Sequence, residues 1–195
     1  SAVVDENDLC YLGGVPGEGL REVFGVREEE SQSYYPHEKV QVNAVEGNPL
    51  GLAGEYDAVD TCSVIHAEGS TVLATYGDQY FAGSPAVTVN RFGKGKAYYV
   101  AARFGGDFLG NLYSAIAGDL KLQRVLDIDL PAGVTAQLRT DGQTDFVFLM
   151  NFNDSPVTLD LGESCDELLT GESVGPDLTL DRFGVRVLRK NHRGE

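Results

Sequence analysis

Hydrophobic positions along the chain change their spacing several times. Leu20, Val23 and Phe24 fall at i, i+3 and i+4 behind Pro16, which predicts a short amphipathic helix within residues 11–24, closed by Gly25 in the C′ position. Arg27 to Tyr35 follows without periodicity and carries Glu28, Glu29 and Glu30 in a row, the pattern of a solvated loop. Lys39 to Ala44 alternates apolar and polar and reads as a strand with one buried face. Beyond the turn residues Gly47, Asn48, Pro49 and Gly51, four strand-like segments succeed one another: Glu55 to His66, Ser70 to Tyr76, Pro85 to Phe92 and Lys96 to Ala102. Ala97 to Ala102 is almost continuously apolar, as in a strand buried on both faces. Phe108, Leu109, Leu112, Ile116 and Leu120 then form one stripe of a helix over residues 107–122.

A buried strand running straight into an amphipathic helix predicts an α/β sheet with a helix on its face. Only one such unit is visible, where a doubly wound sheet needs several crossovers, so part of that domain is expected to be missing. From Leu130 onward the pattern is all β. Val134 to Arg139, Asp145 to Phe152, Val157 to Leu161, Glu167 to Leu169, Leu178 to Leu180 and Gly184 to Leu188 are short alternating runs separated by turn residues. They predict a small antiparallel sandwich or open barrel of about 60 residues. The boundary is expected near Asp127 to Pro131, giving an α/β domain over residues 1–126 and an all-β domain over 127–195.

Composition narrows the partners. Fifteen Lys and Arg against 30 Asp and Glu leave a formal charge of −15, which disfavours a nucleic-acid backbone and an anionic membrane surface alike. Hydrophobic residues at 42% and charged residues at 23% are those of a folded globular protein. No apolar run is long enough to span a bilayer, and the first residues resemble no secretory leader. Ser1 and Ala2 read like the remnant of a cleaved tag, so the chain is expected to be an excised piece. Cys10, Cys62 and Cys165 are few and scattered, the usage of reduced thiols in a cytoplasmic protein.

Chemistry is hard to place. Gly93-Lys94-Gly95-Lys96 lacks the Ser or Thr and the following helix of a phosphate loop and predicts a hairpin turn with solvent-facing lysines. Cys62 and His66 bring a thiol and an imidazole within four residues, but on a strand they lie about 13 Å apart, so an inert buried thiol is expected. His37, His66 and His192 are too dispersed for a local metal motif. Carboxylates such as Asp5 and Glu6, Glu55 and Asp57, Asp107, and Asp166 and Glu167 are plentiful, and nothing in their spacing selects a catalytic pair. Phe146, Phe148, Phe152 and Phe183 suit the core of the β domain better than a sugar platform, and Trp is absent. Asn153-Asp154-Ser155 is a glycosylation sequon of little weight without a secretory route. The residues therefore single out no catalytic, cofactor-binding or metal-ligating position.

Three stretches nevertheless resemble a known family. VDENDLCYLGGVPGEGLREVFGV (4–26), GLAGEYDAVDTCSVIHAEGSTVLATYGDQYFAGSPAVTVNRFGKGKAYYVAAR (51–103) and VTAQLRTDGQTDFVFLMNFN (134–153), with LLTGE (168–172) and FGVRVL (183–188), are similar to the carboxy-terminal part of family 42 glycoside hydrolases, which are bacterial β-galactosidases. The resemblance implies a parent with an amino-terminal TIM barrel bearing two catalytic glutamates and, in some members, a cysteine-ligated zinc. A middle domain similar in fold to class I glutamine amidotransferases, which mediates trimer formation, and a small terminal β domain complete it. The chain would hold the latter part of that middle domain and the terminal domain. No catalytic glutamate of the barrel has a counterpart here, and neither does an amidotransferase nucleophile.

The expected function is thus a non-catalytic assembly and scaffold region of a cytoplasmic β-galactosidase, its partners being the parent's own TIM barrel and further copies of the chain in a trimer. No cofactor is expected. A freestanding saccharide- or small-ligand-binding module is the alternative, and a degenerate amidotransferase using Cys62 a weaker third. A truncated sheet should also present an unpaired edge and an uncovered apolar face.

Overall fold

The computed structural model describes residues 4–11, 14–17 and 19–191. The chain divides into two compact units, Ser1–Leu122 and Gln123–Glu195.

In the first unit a five-residue helix, α1 (Leu20–Phe24), ends where sequence pattern places its end, on Gly25. Gly25 adopts φ 62°, and its N–H donates to the Arg21 carbonyl. A Cβ there would lie 3.0 Å from the Asn90 side chain and the Ser70 nitrogen, so packing as well as backbone conformation calls for glycine. The strands that follow are β1 (Val26–Ser33), β2 (Val40–Ala44), β3 (Glu55–Ala67), β4 (Thr71–Tyr76), β5 (Pro85–Phe92), β6 (Gly95–Val100) and β7 (Ala102–Phe104), and the unit ends with helix α2 (Gly106–Asp119).

Three expectations fail here. The glutamate run is a strand, not a loop: β1 pairs antiparallel with β3 over Val26↔Ala67 to Ser33↔Thr61, with a bulge between Glu28 and Glu30. Pairing with β3 supplies the backbone hydrogen bonds a loop would leave to water, and the acids stand on a strand whose far side, among the described residues, meets a single bridge to Val15, where charge protects an edge. Residues 97–102 are not buried on both faces. Tyr98 and Tyr99 are half-buried and Val100 is exposed. Finally, every strand pair among the described residues is antiparallel, so the expected α/β sheet is a β-rich antiparallel sheet ending in α2, without the crossovers of a doubly wound fold among them. The apolar run before α2 reflects strand sharing instead. Its first half, β6, pairs with β5, and its second half, β7, pairs with β3. Between them the Ala101 N–H donates to Ala86 at 2.9 Å and the Ser63 N–H donates to the Ala101 carbonyl at 2.6 Å. With β3 paired to β2, β2 to β4 and β4 to β5, the sheet closes on itself.

The core of this unit gathers Val40, Val42, Leu73, Tyr76, Val87 and Phe104, with Phe108 and Leu112 supplied by α2. Phe108 stacks on Phe104 at 3.9 Å between centroids and meets the edge of Tyr56 at 5.0 Å. Of the expected stripe, Phe108 and Leu112 are buried and Ile116 packs half-buried against the core, whereas Leu109 and, just past the helix, Leu120 are exposed; Tyr113, off the stripe, is exposed as well.

The second unit is all β. Strands β8 (Val134–Thr140), β9 (Thr144–Asn151), β11 (Cys165–Glu167), β12 (Ser173–Val174) and β14 (Val185–Asn191) form one antiparallel sheet in the order β12-β11-β14-β9-β8, and β10 (Val157–Asp160) pairs with β13 (Asp177–Leu180) as a ribbon. Val147, Leu149 and Leu188 from the sheet pack with Leu159, Leu178 and Leu180 from the ribbon. Alternation along β9 is strict: Asp145, Val147, Leu149 and Asn151 are buried while Phe146, Phe148 and Met150 are half-buried on the opposite face. The phenylalanines are therefore not the core expected of them. Phe152 and Phe183 are more than half exposed. Period-two patterning identifies two faces but not which one is covered, and here the aliphatic face is the inner one.

Candidate functional site

The sequence-selected groups do not converge. Cys62 sits on the inward face of β3, fully buried, while His66 lies at the exposed end of the same strand with its Nε2 against the Glu29 carboxylate of β1. Burial pushes the Cys62 thiol up to about 11, opposed by a hydrogen bond with the Tyr76 hydroxyl. A thiol so protonated holds a thiolate fraction on the order of one in ten thousand at pH 7 and is no nucleophile. His37 stacks on Tyr35 at 6.0 Å, exposed. His192 lies outside the described residues. Cys10, Cys62 and Cys165 are all free thiols. Among the described residues no three His, Cys, Asp or Glu side chains gather closely enough to hold a metal ion.

The acids are mostly engaged locally. Asp5 accepts from the backbone N–H groups of Asn7 and Leu9. Asp57 pairs with Lys39 at 2.6 Å, and Asp166 pairs with Arg189 at 2.6 Å. Glu55, Asp57 and Asp107 all border a shallow recess beside the start of α2, together with Gln41, Tyr56 and Asn111. Gly93 (φ 56°) and Lys94 form the two-residue turn between Phe92 and Gly95, as a hairpin with Gly at the first turn position requires. Asn153 of the sequon directs its amide to the Ala132 carbonyl and to Asn151.

Two buried polar groups that spacing did not single out have clear structural work. Tyr76, 1% exposed, donates its hydroxyl to the carbonyls of Ser63 (3.0 Å) and Ala101 (3.1 Å), at the place where the β6–β7 ribbon passes from β5 to β3. Burial in this seam drives the Tyr76 phenol far above its ordinary value. Glu167, also 1% exposed, accepts from the N–H groups of Leu169, Thr170 and Val187 and from the Thr170 hydroxyl. Burial opposes ionisation there, yet those four donors outweigh it and hold the carboxyl at about 2. It ties the turn after β11 to β14. The only forewarning in sequence was the LLTGE stretch beside it, read as family resemblance and not as a polar staple.

Comparison with known proteins gives these units an ancestry. Residues 1–123 match the family model of the β-galactosidase trimerisation domain, and residues 133–190 that of the β-galactosidase C-terminal domain. The chain belongs to the family 42 glycoside hydrolases. A β-galactosidase of Clostridium perfringens is 44% identical over 97% of the chain, and one of Alicyclobacillus acidocaldarius is 43% identical over 99%. The chain spans only 28% of the length of either relative. Among solved structures, a β-galactosidase from a Rahnella species superposes with a TM-score of 0.82 at 45% identity, covering 98% of this chain and 27% of that one. The enzyme of Bacillus circulans sp. alkalophilus gives 0.83 at 37% identity, with 97% and 28% covered. No helix among the described residues is long and apolar enough to cross a membrane.

Proposed function

We propose that these 195 residues are the non-catalytic assembly and scaffold region of a cytoplasmic β-galactosidase that hydrolyses terminal non-reducing β-D-galactosides. Residues 1–126 would be the latter part of its trimerisation domain and residues 127–195 its terminal β domain. Hydrolysis would reside in the parent's TIM barrel, with one glutamate as nucleophile and another as acid/base in a retaining mechanism. One observation carries this reading: the chain lies across two family domains named for trimerisation and for the C-terminus, yet spans about a quarter of its relatives. The chemistry of the described residues agrees with it, since Cys62 is protonated, Asp57 and Asp166 are held in ion pairs, and Asp5 is held in a turn. The exposed Leu109 and Tyr113 of α2, with Leu120 just past its end, are the kind of apolar surface an assembly covers.

The test is hydrolysis of a chromogenic β-galactoside by the purified 195-residue chain, with its mass measured in solution over a range of concentrations. The expected result is no turnover and concentration-dependent self-association. Turnover by this chain alone overturns the scaffold reading, and a strict monomer at high concentration overturns the assembly role.

A further inference from the structure

The β5–β6 hairpin builds a recess that the family correspondence leaves without a role. Val89 of β5 stands opposite Thr71 of β4 on one side and Tyr98 of β6 on the other, so these three residues form a row across three strands. Toward the turn, Arg91 stands opposite Lys96. Residues two apart on a strand share a face, which places Arg91 and Lys96 beside that row. Pro49 and Leu50 from the loop between β2 and β3 complete the walls of a cavity of about 430 Å³, a volume suited to a small organic molecule.

Its polar groups are unequally engaged. The Lys96 ammonium meets the Asp119 carboxylate at the end of α2. Asn90 directs its amide onto the Glu22 and Val23 carbonyls of α1. The Arg91 guanidinium has neither ion pair nor hydrogen bond among the described residues, and the hydroxyls of Tyr98 and Thr71 have no hydrogen-bond partner there. The exposed Arg91, without an ion pair among the described residues, lines the cavity together with Val89, Leu50 and Pro49 in a chain of net charge −15. A guanidinium fork suits the paired oxygens of a carboxylate or phosphate, and Arg91 is the group that carries this charge, because Lys96 is already neutralised by Asp119.

We propose that this cavity binds a small organic oxyanion of about monosaccharide size, its carboxylate or phosphate held by Arg91 and its body lying over Val89 and Leu50 within reach of the Tyr98 and Thr71 hydroxyls. The proposal is independent of the assembly reading, since it concerns a ligand and not a contact between copies.

Titration calorimetry of the 195-residue chain at low salt tests it, using galactose 6-phosphate and galacturonate as the two oxyanion sources, with galactose and inorganic phosphate alongside. Saturable binding of at least one of the first two at one per chain is expected, with galactose and inorganic phosphate each weaker by roughly tenfold. Arg91→Ala should weaken the bound oxyanion by roughly tenfold or more, and Arg91→Lys by less. Lys94→Ala, in the turn outside the cavity, should change it less than twofold, which separates a built site from general attraction to a basic hairpin. Circular dichroism of each variant checks that the fold is intact. The proposal is overturned if neither oxyanion binds saturably, if Arg91→Ala binds as the parent chain does, if Lys94→Ala loses as much as Arg91→Ala, or if inorganic phosphate equals the sugar acids.

Discussion

Tyr76 in the first unit and Glu167 in the second hold comparable posts. Each is a polar side chain, 1% exposed, that ties together backbone segments hydrogen bonding within regular strands would leave apart. Tyr76 does so as a neutral donor to two carbonyls, and Glu167 as an anion accepting from three N–H groups and a hydroxyl. The difference follows from what each seam offers: carbonyl lone pairs where a ribbon changes partners, one of them on an Ala101 oxygen that also accepts from the Ser63 N–H, and N–H groups where a tight turn leaves a strand. Its consequence is that the two units answer differently to protons. The first seam keeps its hydrogen at any moderate pH, whereas the second works only while its carboxyl is ionised.

The largest expected effect is from Glu167→Gln, which turns an acceptor into a donor facing N–H groups and should cost the second unit about 3 kcal/mol in urea unfolding. Tyr76→Phe should cost the first unit less, about 1–2 kcal/mol, because two carbonyls lose one donor. If Tyr76→Phe proved the costlier, the contrast between charged and neutral seams would fail. Acid sharpens the comparison further. The folded Glu167 carboxyl sits at about 2 against an ordinary value of 4.5. A depressed folded pKa gives stability that is fully present above pH 4.5 and lost as the pH falls toward 2. Unfolding monitored by NMR signals of each unit should show this loss in the second unit, and Glu167→Gln should abolish it. Smallest of all is the stability change for Leu109→Lys with Tyr113→Lys on the exposed face of α2, expected within about 0.5 kcal/mol. That pair should instead reduce self-association in sedimentation, and an unchanged sedimentation profile would remove α2 from the assembly surface.

Much of this architecture was legible in the chain. Alternation over Lys39 to Ala44 and Glu55 to His66, the Gly25 helix stop and the Gly93 turn all report local rules that hold with or without a partner. Reading β1 was harder, because Glu28 to Glu30 look like solvent-facing loop until β3 lies beside them. The identity of the second unit's core face was equally hidden: Phe146 and Val147 carry the same period, and only the β10–β13 ribbon decides that Val147 goes inside.

The amino-acid sequence by itself determined where most of the strands, turns and helices lie, β1 excepted, and to which family the chain belongs, because those depend on neighbours within a few residues and on motifs kept in order. The tertiary structure alone decided that the first sheet closes through a ribbon shared by two strands, that Tyr76 and Glu167 seal the seams, and that Arg91 stands unmatched beside a cavity. Each of these joins residues distant in the chain. Hydrogen-bond partners and burial arise from the packing of distant segments, which no local spacing records.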